Sequence, residues 1–222
     1  MLISLKRCLS DLLIQPVCWH CQTPNPCTHE QEGLLCQTCW QSLGLKASGL
    51  QGLEPLSWHA AGWYEGALRR MVLRLRITPD PTVLHILSRG LRNALSQHAL
   101  LIPVPGWKAE SRANPLPQLL CRSLQKPCVP VLKRSRPTVG QHHLNRRQRL
   151  LNQQGSFQVV RERISSTGLL ETLSSNAAQV WLVDDIVTSG ATVMAARDAL
   201  QTAGIVTQGV LCLARTRLSV TP

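Results

Sequence analysis

The chain has 222 residues, a formal net charge of +12 at pH 7 and 44% hydrophobic residues. This apolar content excludes a disordered polyelectrolyte, and the length allows one substantial α/β domain with or without a small module. The positive charge, most of it arginine, favours phosphate groups, nucleic acid or an acidic surface as ligands. A globular protein that is merely basic fits the same composition.

Membrane insertion is not expected, because no run approaches the roughly 18 apolar residues that span a bilayer. At the N-terminus, Lys6, Arg7 and Asp11 interrupt the stretch that would form the apolar centre of a signal peptide. We therefore expect a cytoplasmic protein, in which the nine cysteines stay reduced. Clustered cysteines then indicate a metal site. Scattered ones indicate core packing, and these are Cys8, Cys121, Cys128 and Cys212.

Two C-x-x-C pairs, Cys18 with Cys21 and Cys36 with Cys39, have a spacing close to that of a zinc ribbon. Each pair places two thiolates on one side of a tight turn, and two pairs complete a tetrahedral sulfur site for zinc. Four protein ligands leave no open coordination position, so the predicted zinc is structural. The ligand set stays open, because other donors lie nearby: His20, Cys27 and His29.

The apolar periodicity between residues 40 and 132 predicts a connector, two helices, a strand, a helix and a second strand. These elements are placed at 40–60, 64–75, 82–95, 99–105, 116–124 and 129–132. The following run, KRSRPTVGQHHLNRRQR at 133–149, contains lysine and arginine but no acid. A solvated loop and a contact with a polyanion both fit this run.

The stretch VWLVDDIVTSGATV at 180–193 combines an apolar run with two acids and a small polar loop. It predicts a buried strand at 180–183, and the apolar spacing from 191 to Gly204 predicts a helix that follows. A further strand is expected at 207–213. Because ligands of open parallel sheets sit at the carboxyl ends of strands, Asp184 and Asp185 are expected to face a ligand.

The loop after the acids has the chemistry of a phosphate site. Glycine lets the backbone approach an anion, while successive amides and hydroxyls at a helix N-terminus donate hydrogen bonds to it. The candidate phosphate-binding residues are Thr188, Ser189, Gly190, Ala191 and Thr192. The two acids would repel a phosphate beside them, so they are expected to face hydroxyl groups or Mg²⁺. A ribose 5-phosphate satisfies both requirements.

VWLVDDIVTSGAT resembles the phosphoribosyl pyrophosphate signature of type I phosphoribosyltransferases. The resemblance implies an α/β fold, with a central parallel sheet flanked by helices, over residues 46–222. Hood elements would occupy about 58–98 and the core about 99–222. It further implies that the catalytic carboxylates Asp184 and Asp185 contact the ribose 2- and 3-hydroxyls, and that the loop binds the 5-phosphate.

Other landmarks are similar to the ComF/GntX family of phosphoribosyltransferase-like proteins, which are linked to natural competence and the use of external DNA. They are the paired C-x-x-C motifs, Pro103-Val-Pro105, the pattern Q-x2-L-x4-R-x2-N-x2-G-x-F from Gln141 to Phe157, and LCLART at 211–216. The resemblance implies a double zinc ribbon at 1–45 and Mg²⁺ bound with phosphoribosyl pyrophosphate. The implied partners are single-stranded DNA and a competence helicase or another DNA-uptake protein.

The chain departs from the family in the motif after the P-V-P strand and at Arg76, and from a related branch at Thr188. Arg112 alone matches the family motif that follows the P-V-P strand, and Arg76 stands where the family usually has lysine. Pyrophosphate or polyanion contacts are expected from Arg76, Arg112, Arg146, Arg147 and Arg149. Thr188 occupies the position of a carboxylate that serves 6-oxopurine salvage as a base, so hypoxanthine and guanine are not the expected acceptors.

Three functions therefore remain open. The chain is a Mg²⁺-dependent phosphoribosyltransferase with an unidentified acceptor, a module that binds phosphoribosyl pyrophosphate or single-stranded DNA during DNA uptake, or a regulator whose zinc module contacts a partner. Of these, the family resemblance favours a phosphoribosyl pyrophosphate-binding protein of natural competence. It leaves catalytic activity undecided, because the same fold serves several functions.

Overall fold

The computed structural model describes residues 17–24, 35–106, 114–135, 153, 155–166 and 178–217. The chain divides into two compact units, Met1–Leu45 and Lys46–Pro222. No helix in the described segments is long and apolar enough to cross a bilayer.

The first unit is organised around its cysteines. Val17 and Pro24 form an isolated antiparallel bridge, which closes the turn that carries the first C-x-x-C pair. The second pair lies at helix α1 (Gln37–Ser42), where the Cys36 side chain caps the helix by accepting a hydrogen bond from the Cys39 N–H. Units of this size rarely gain enough stability from apolar burial alone, and a bound metal is one common supplement.

The second unit alternates strands and helices. In chain order they are β1 (Leu50–Gly52), β2 (Trp58–Trp63), α2 (Gly66–Ile77), α3 (Pro81–Arg92), β3 (Ala99–Pro103), α4 (Leu116–Ser123), β4 (Leu132–Arg134), β5 (Phe157–Val159), α5 (Arg161–Ser166), β6 (Gln179–Val187), α6 (Ala191–Thr202) and β7 (Thr207–Arg215).

The central sheet is mostly parallel, as the sequence predicted. Its strand order is β1-β2-β7-β6-β3, and only the edge pair β1 and β2 is antiparallel. β6 lies between β7 and β3, and its residues Val180 to Val183 are buried. A strand covered on both faces needs a continuous apolar run, which is why VWLV is not an alternating pattern.

Helices flank this sheet. α4 packs on β3 and β6, and α3 packs on β2, β7 and α4, while α6 packs on β5, β6 and β7. The core around α6 joins Leu182 of β6 and Ile102 of β3 to Val193 and Leu200 of the helix. The arrangement is therefore α/β, with the carboxyl ends of β3, β6, β7 and β2 at one edge of the sheet.

Two predicted elements differ from the observed ones. Residues 40–60, predicted to be a connector, contain β1 and the first part of β2. β1 was not predicted because it pairs with β2 over only three residues, which need no apolar periodicity. The strand predicted at 129–132 is instead β4 at Leu132–Arg134, which pairs with β5 in a separate two-stranded sheet. Within the range 58–98, Trp58–Trp63 pair with β7 in the central sheet.

The strand predicted at 180–183 continues to Val187. Its backbone pairs with β7 as far as Val187 opposite Arg215, so the ladder passes through both acids. The main chain forms this ladder regardless of side-chain polarity, because each backbone N–H and C=O needs a partner once it is buried. The acid pair therefore lies within the last residues of β6 and not in the loop after it.

Replacing Gly90 with alanine tests the close packing of α3 on residues 46–49. A Cβ at Gly90 would lie 2.6 Å from the Gly49 backbone nitrogen and 3.0 Å from the Lys46 carbonyl oxygen. Helix propensity alone would make Gly90→Ala stabilising by roughly 1 kcal/mol, whereas this overlap predicts a loss of about 1–3 kcal/mol. The free energy of unfolding, measured by urea denaturation, gives the sign.

Thr82→Ala is the control, because Thr82 is exposed in the same helix. It should change the free energy of unfolding by no more than about 0.5 kcal/mol. A Gly90→Ala chain more stable than the wild type would contradict the close approach.

Candidate functional site

The acid pair lies at the carboxyl edge of the sheet, near the end of β6. Asp184 is opposite Cys212 in the ladder with β7, and Ile186 is opposite Ala214. The chain leaves the strand after Val187 and enters α6 at Ala191. The strand, the acids, the loop and the helix thus form one continuous unit at an edge where α/β proteins place their ligands.

Asp185 is fully engaged by groups of the same chain. The Arg76 guanidinium donates from Nε to Asp185 Oδ2 at 2.6 Å and from Nη2 to Oδ1 at 3.0 Å. Asn114 Nδ2 donates to Oδ2 at 2.7 Å, and the Ile186 N–H donates to Oδ1 at 2.8 Å. The Asp185 side chain is only 3% exposed. A carboxylate offers about four lone-pair sites, so these four hydrogen bonds saturate it.

This network joins three elements that are distant in sequence. Arg76 lies in the last turn of α2, Asp185 near the end of β6, and Asn114 just before α4. The Asn114 side chain also accepts a hydrogen bond from the Leu116 N–H at 3.2 Å, which fixes its amide at the start of that helix. Although burial disfavours the guanidinium charge, hydrogen bonds to Asp185 and its negative charge raise the pKa of Arg76.

Asp184 has a different environment. Its Oδ1 accepts a hydrogen bond from the Asp185 N–H at 2.9 Å, and its carboxylate has no ion pair with any residue that the structure describes. Burial and then the charge of Asp185 raise the pKa of Asp184 well above its ordinary value. A cation or a hydroxyl donor arriving at Asp184 would favour its ionised form. Asp184 is therefore the member of the pair with unused acceptor capacity.

Arg134 supplies positive charge on the Asp184 side of the sheet. Its guanidinium donates to the carbonyl oxygens of Pro105 and Gly106 at 3.3 and 3.1 Å and lies 4.5 Å from the centre of the Phe157 ring. Burial lowers the pKa of Arg134, and the negative charge of Asp184 opposes this effect. The contacts hold Arg134 at the carboxyl end of β3.

The loop before α6 contains a glycine in a left-handed conformation. Gly190 has φ +82° and precedes the first residue of a 12-residue helix, so it takes a left-handed conformation that favours glycine. A Cβ at Gly190 would lie 2.3 Å from Pro55 Cγ, which excludes a larger residue for a second reason. Ser189 Oγ accepts a hydrogen bond from the Ala191 N–H at 3.4 Å.

A buried arginine secures the start of this loop. Arg215, at the end of β7, is 1% exposed, and its guanidinium donates to the carbonyl oxygens of Val187, Thr188 and Glu54. It also lies 5.6 Å from the centre of the Trp58 ring. These hydrogen bonds compensate for the burial of the charge, and they hold the loop through its carbonyl oxygens.

The four predicted cysteine ligands form a cluster in the first unit. The Sγ atoms of Cys18, Cys21, Cys36 and Cys39 all lie within 4.8 Å of one another, so the cluster could hold a metal ion such as zinc. The Sγ atoms of Cys21 and Cys36 are 3.7 Å apart. Zn–S bonds of about 2.3 Å in a tetrahedron place sulfur atoms about 3.8 Å apart, so this pair already has a suitable separation.

Backbone and hydroxyl donors support thiolates at three of the four cysteines, while burial raises the pKa of the fourth, Cys39. The Cys36 N–H donates to Cys18 Sγ at 3.3 Å, and the Cys39 N–H donates to Cys36 Sγ at 3.4 Å. The hydrogen bond from the Thr23 hydroxyl, 2.8 Å from Cys21 Sγ, is the main cause that lowers the pKa of Cys21 to about 6. Thiolates are the form that binds zinc, so this donor set fits the metal.

The other predicted residues fall into two groups. Arg76 lies at the acid pair, and His20 is exposed and outside the cysteine cluster. The remaining candidates lie outside the described residues, namely Arg112, Arg146, Arg147, Arg149, Cys8, Cys27 and His29.

Sequence reasoning missed the role of three residues at this edge. Asn114 and Arg134 contribute through long-range contacts that no local pattern signals. Arg215 had a signal, because a charged residue that closes the apolar run VLCLA must find hydrogen-bond acceptors inside the fold.

A scan against protein-family models matches none of them, and a search of curated proteins finds no significant match. A function for this chain therefore depends on the residues at the acid pair, the loop and the cysteine cluster.

Metal content tests the cysteine cluster directly. The purified chain should contain one zinc per molecule by elemental analysis, and Cys39→Ser should lose most of it because three sulfur ligands bind zinc more weakly than four. Cys128→Ser is the matched control, since Cys128 lies outside the cluster. Equal zinc content in Cys39→Ser and the wild type would contradict the assignment. Removal of zinc by a chelator should also lower the thermal stability of the first unit.

Proposed function

We propose that this chain binds phosphoribosyl pyrophosphate with Mg²⁺, as a protein of the type I phosphoribosyltransferase fold. The observation that carries the proposal is the unit formed by residues 179–202, in which an acid pair ends a central parallel strand and Gly190 introduces a long helix. This unit combines two requirements of a sugar phosphate, acceptors for hydroxyl groups and donors for a phosphate.

The loop would bind the 5-phosphate of the ligand. The amides at the start of α6 lie where the helix dipole favours negative charge, and the Ser189 and Thr192 hydroxyls stand beside them. Arg215 holds the loop through carbonyl oxygens, which supports an arrangement prepared before ligand binding. A phosphate would therefore bind without reordering the backbone.

Asp184, the member of the acid pair with unused acceptor capacity, would serve the ribose and the metal. Mg²⁺ prefers oxygen ligands and commonly binds through one or two carboxylates together with substrate phosphates. The Asp184 carboxylate offers such oxygens, and Mg²⁺ would accompany the pyrophosphate of the ligand. The donor chemistry therefore fits magnesium phosphoribosyl pyrophosphate. Transfer of the ribosyl group to an acceptor other than a 6-oxopurine is the reaction that such binding would permit.

The wider role that we propose is in natural competence, where external DNA is taken up and used. It rests on the resemblance to ComF/GntX proteins, and a metal-competent cysteine cluster in one unit of a chain whose other unit is α/β supports it. In this role the cluster would be a structural zinc ribbon, and a helicase or another DNA-uptake protein would be the partner.

Calorimetric titration of the zinc-loaded chain with phosphoribosyl pyrophosphate and Mg²⁺ tests the proposal. We expect saturable binding by the wild type and a loss of at least about tenfold in affinity when Asp184→Asn and Asp185→Asn are combined, because hydrogen bonds to charged groups are strong. Binding should also require Mg²⁺, since it shields the pyrophosphate from the acids.

Asp198→Asn provides a matched control. Asp198 is an exposed carboxylate of α6 that pairs with the neighbouring Arg197 at 2.8 Å. Its loss should leave the affinity unchanged within about twofold. If the wild type shows no saturable binding, or if the double variant binds as well as the wild type, the proposed function is wrong.

A second candidate function is binding of single-stranded nucleic acid, and the exposed face of α2 favours it. Arg69 and Arg70 are exposed on this helix, and the Arg69 guanidinium lies 5.7 Å from the centre of the Tyr64 ring. Arginine beside an aromatic ring suits both phosphates and stacked bases.

Salt dependence tests this candidate. Binding of a single-stranded oligonucleotide should weaken steeply with salt, and combining Arg69→Gln with Arg70→Gln should reduce the slope of log K against log salt by about 1.4, the value for two phosphate contacts. Arg122→Gln, an exposed arginine on α4, is the control. A flat salt response in the wild type would remove nucleic acid as a ligand.

A further inference from the structure

Asp185 cannot act as a ribose ligand in the arrangement that the structure shows. Its two oxygens accept hydrogen bonds from Arg76, Asn114 and the Ile186 N–H, and its side chain is 3% exposed. A ribose hydroxyl would have to displace one of these donors, two of which come from a cation. The adjacent Asp184 accepts one hydrogen bond from the described residues and therefore keeps acceptor capacity.

Arg76 retains donors after it has paired with Asp185. A guanidinium carries five N–H groups in a planar fork, and the two that reach Asp185 come from Nε and Nη2. Among the described residues, Nη1 has no hydrogen-bond partner, and 39% of the Arg76 side chain is exposed. The arginine is thus held on one side by a carboxylate and offers its other side to solvent.

The position of this open side suits the second anion of the proposed ligand. Asp185 precedes Thr188 by three strand residues, about 10 Å along the chain. Arg76 is also close enough to Asp184 for the acid's charge to contribute to its raised pKa. A sugar phosphate whose 5-phosphate lies at the loop and whose ribose lies at Asp184 would carry its remaining phosphates toward Arg76.

We propose that Asp185 is a positioning residue, which fixes the Arg76 guanidinium so that its unpaired N–H groups bind the pyrophosphate end of the ligand. This inference rests on the proposed function and divides the acid pair, because Asp184 alone then serves the ribose and the metal. Asn114 completes the arrangement by occupying the remaining capacity of Asp185 Oδ2.

The sign of one substitution separates this role from simple electrostatics. A carboxylate near an anion site weakens anion binding through repulsion, so Asp185→Asn should strengthen pyrophosphate binding if Asp185 acted only as a charge. If Asp185 acts by holding Arg76, Asp185→Asn should weaken pyrophosphate binding instead, because the bidentate pair is lost.

The experiment measures the affinity of the full zinc-loaded chain for two probes with Mg²⁺, inorganic pyrophosphate and ribose 5-phosphate. Arg76→Gln and Asp185→Asn should each weaken pyrophosphate binding by about tenfold or more and change ribose 5-phosphate binding by less than about twofold. Asp184→Asn should weaken ribose 5-phosphate binding, because Asp184 is the acid assigned to the ribose. Arg122→Gln is the matched control, because Arg122, like Arg76, lies in the last turn of its helix. It is at the end of α4 away from Asn114, about 12 Å along the helix axis, so its loss should leave the affinity for both probes unchanged.

The double variant Arg76→Gln with Asp185→Asn keeps the test decisive where a single variant fails to fold. It removes both members of the ion pair together, so no unpaired charge is left buried. If Asp185 acts through Arg76, the double variant should bind pyrophosphate no more weakly than Arg76→Gln alone. Additive losses would indicate an independent contact and would overturn the inference.

The outcomes distinguish the inference from the proposed function. Stronger or unchanged pyrophosphate binding in Asp185→Asn, or no pyrophosphate binding by a wild type that binds phosphoribosyl pyrophosphate, overturns the positioning role and leaves the proposed function standing. A different result is that the chain binds pyrophosphate through Asp185 and Arg76 but binds neither phosphoribosyl pyrophosphate nor ribose 5-phosphate. That result supports the positioning role and shows that the proposed function is wrong.

Discussion

The charge of Asp185 imposes the main constraint on the carboxyl edge of the sheet. A carboxylate that is 3% exposed must be matched by donors. Arg76, in the last turn of α2, and Asn114, just before α4, provide them. Satisfying this one group therefore fixes where α2 ends and where α4 begins relative to β6. The same requirement determines which side of the Arg76 guanidinium remains open to solvent.

The parts of the fold that could be predicted from the sequence are those whose signals are local. The strand, loop and helix between 179 and 204 combine an apolar run, a glycine and helical spacing, and the cysteine cluster follows from two tight turns. β1 lacks such a signal, because its three residues include Gly52 and its pairing with β2 supplies the order. β6 is longer than its apolar run predicted, because its backbone pairing with β7 continues through the two acids.

The sequence predicted the location of the candidate site but only some of its contacts. The acid pair indicated a ligand because ionised aspartates are rarely buried alone. The partner of Asp185 is Arg76, a residue 109 positions earlier in the chain, and no periodicity links residues at that separation. Asn114 and Arg134 were missed for the same reason, since each acts through a contact that exists only after the sheet has formed.

A donor holds the loop, because Arg215 donates to its carbonyl oxygens, whereas Asp185 is held as an acceptor of hydrogen bonds. This difference matters for ligand binding. Arg215 holds the loop through the carbonyls of Val187 and Thr188, so it uses none of the backbone amides of the loop. Asp185 uses all its acceptors within the fold, while Asp184 retains acceptor capacity among the described residues. Rigid support by groups that do not meet the ligand lowers the ordering cost of binding. The buried charges of Arg215 and Asp185 therefore contribute to a site through the neighbours that they hold in place.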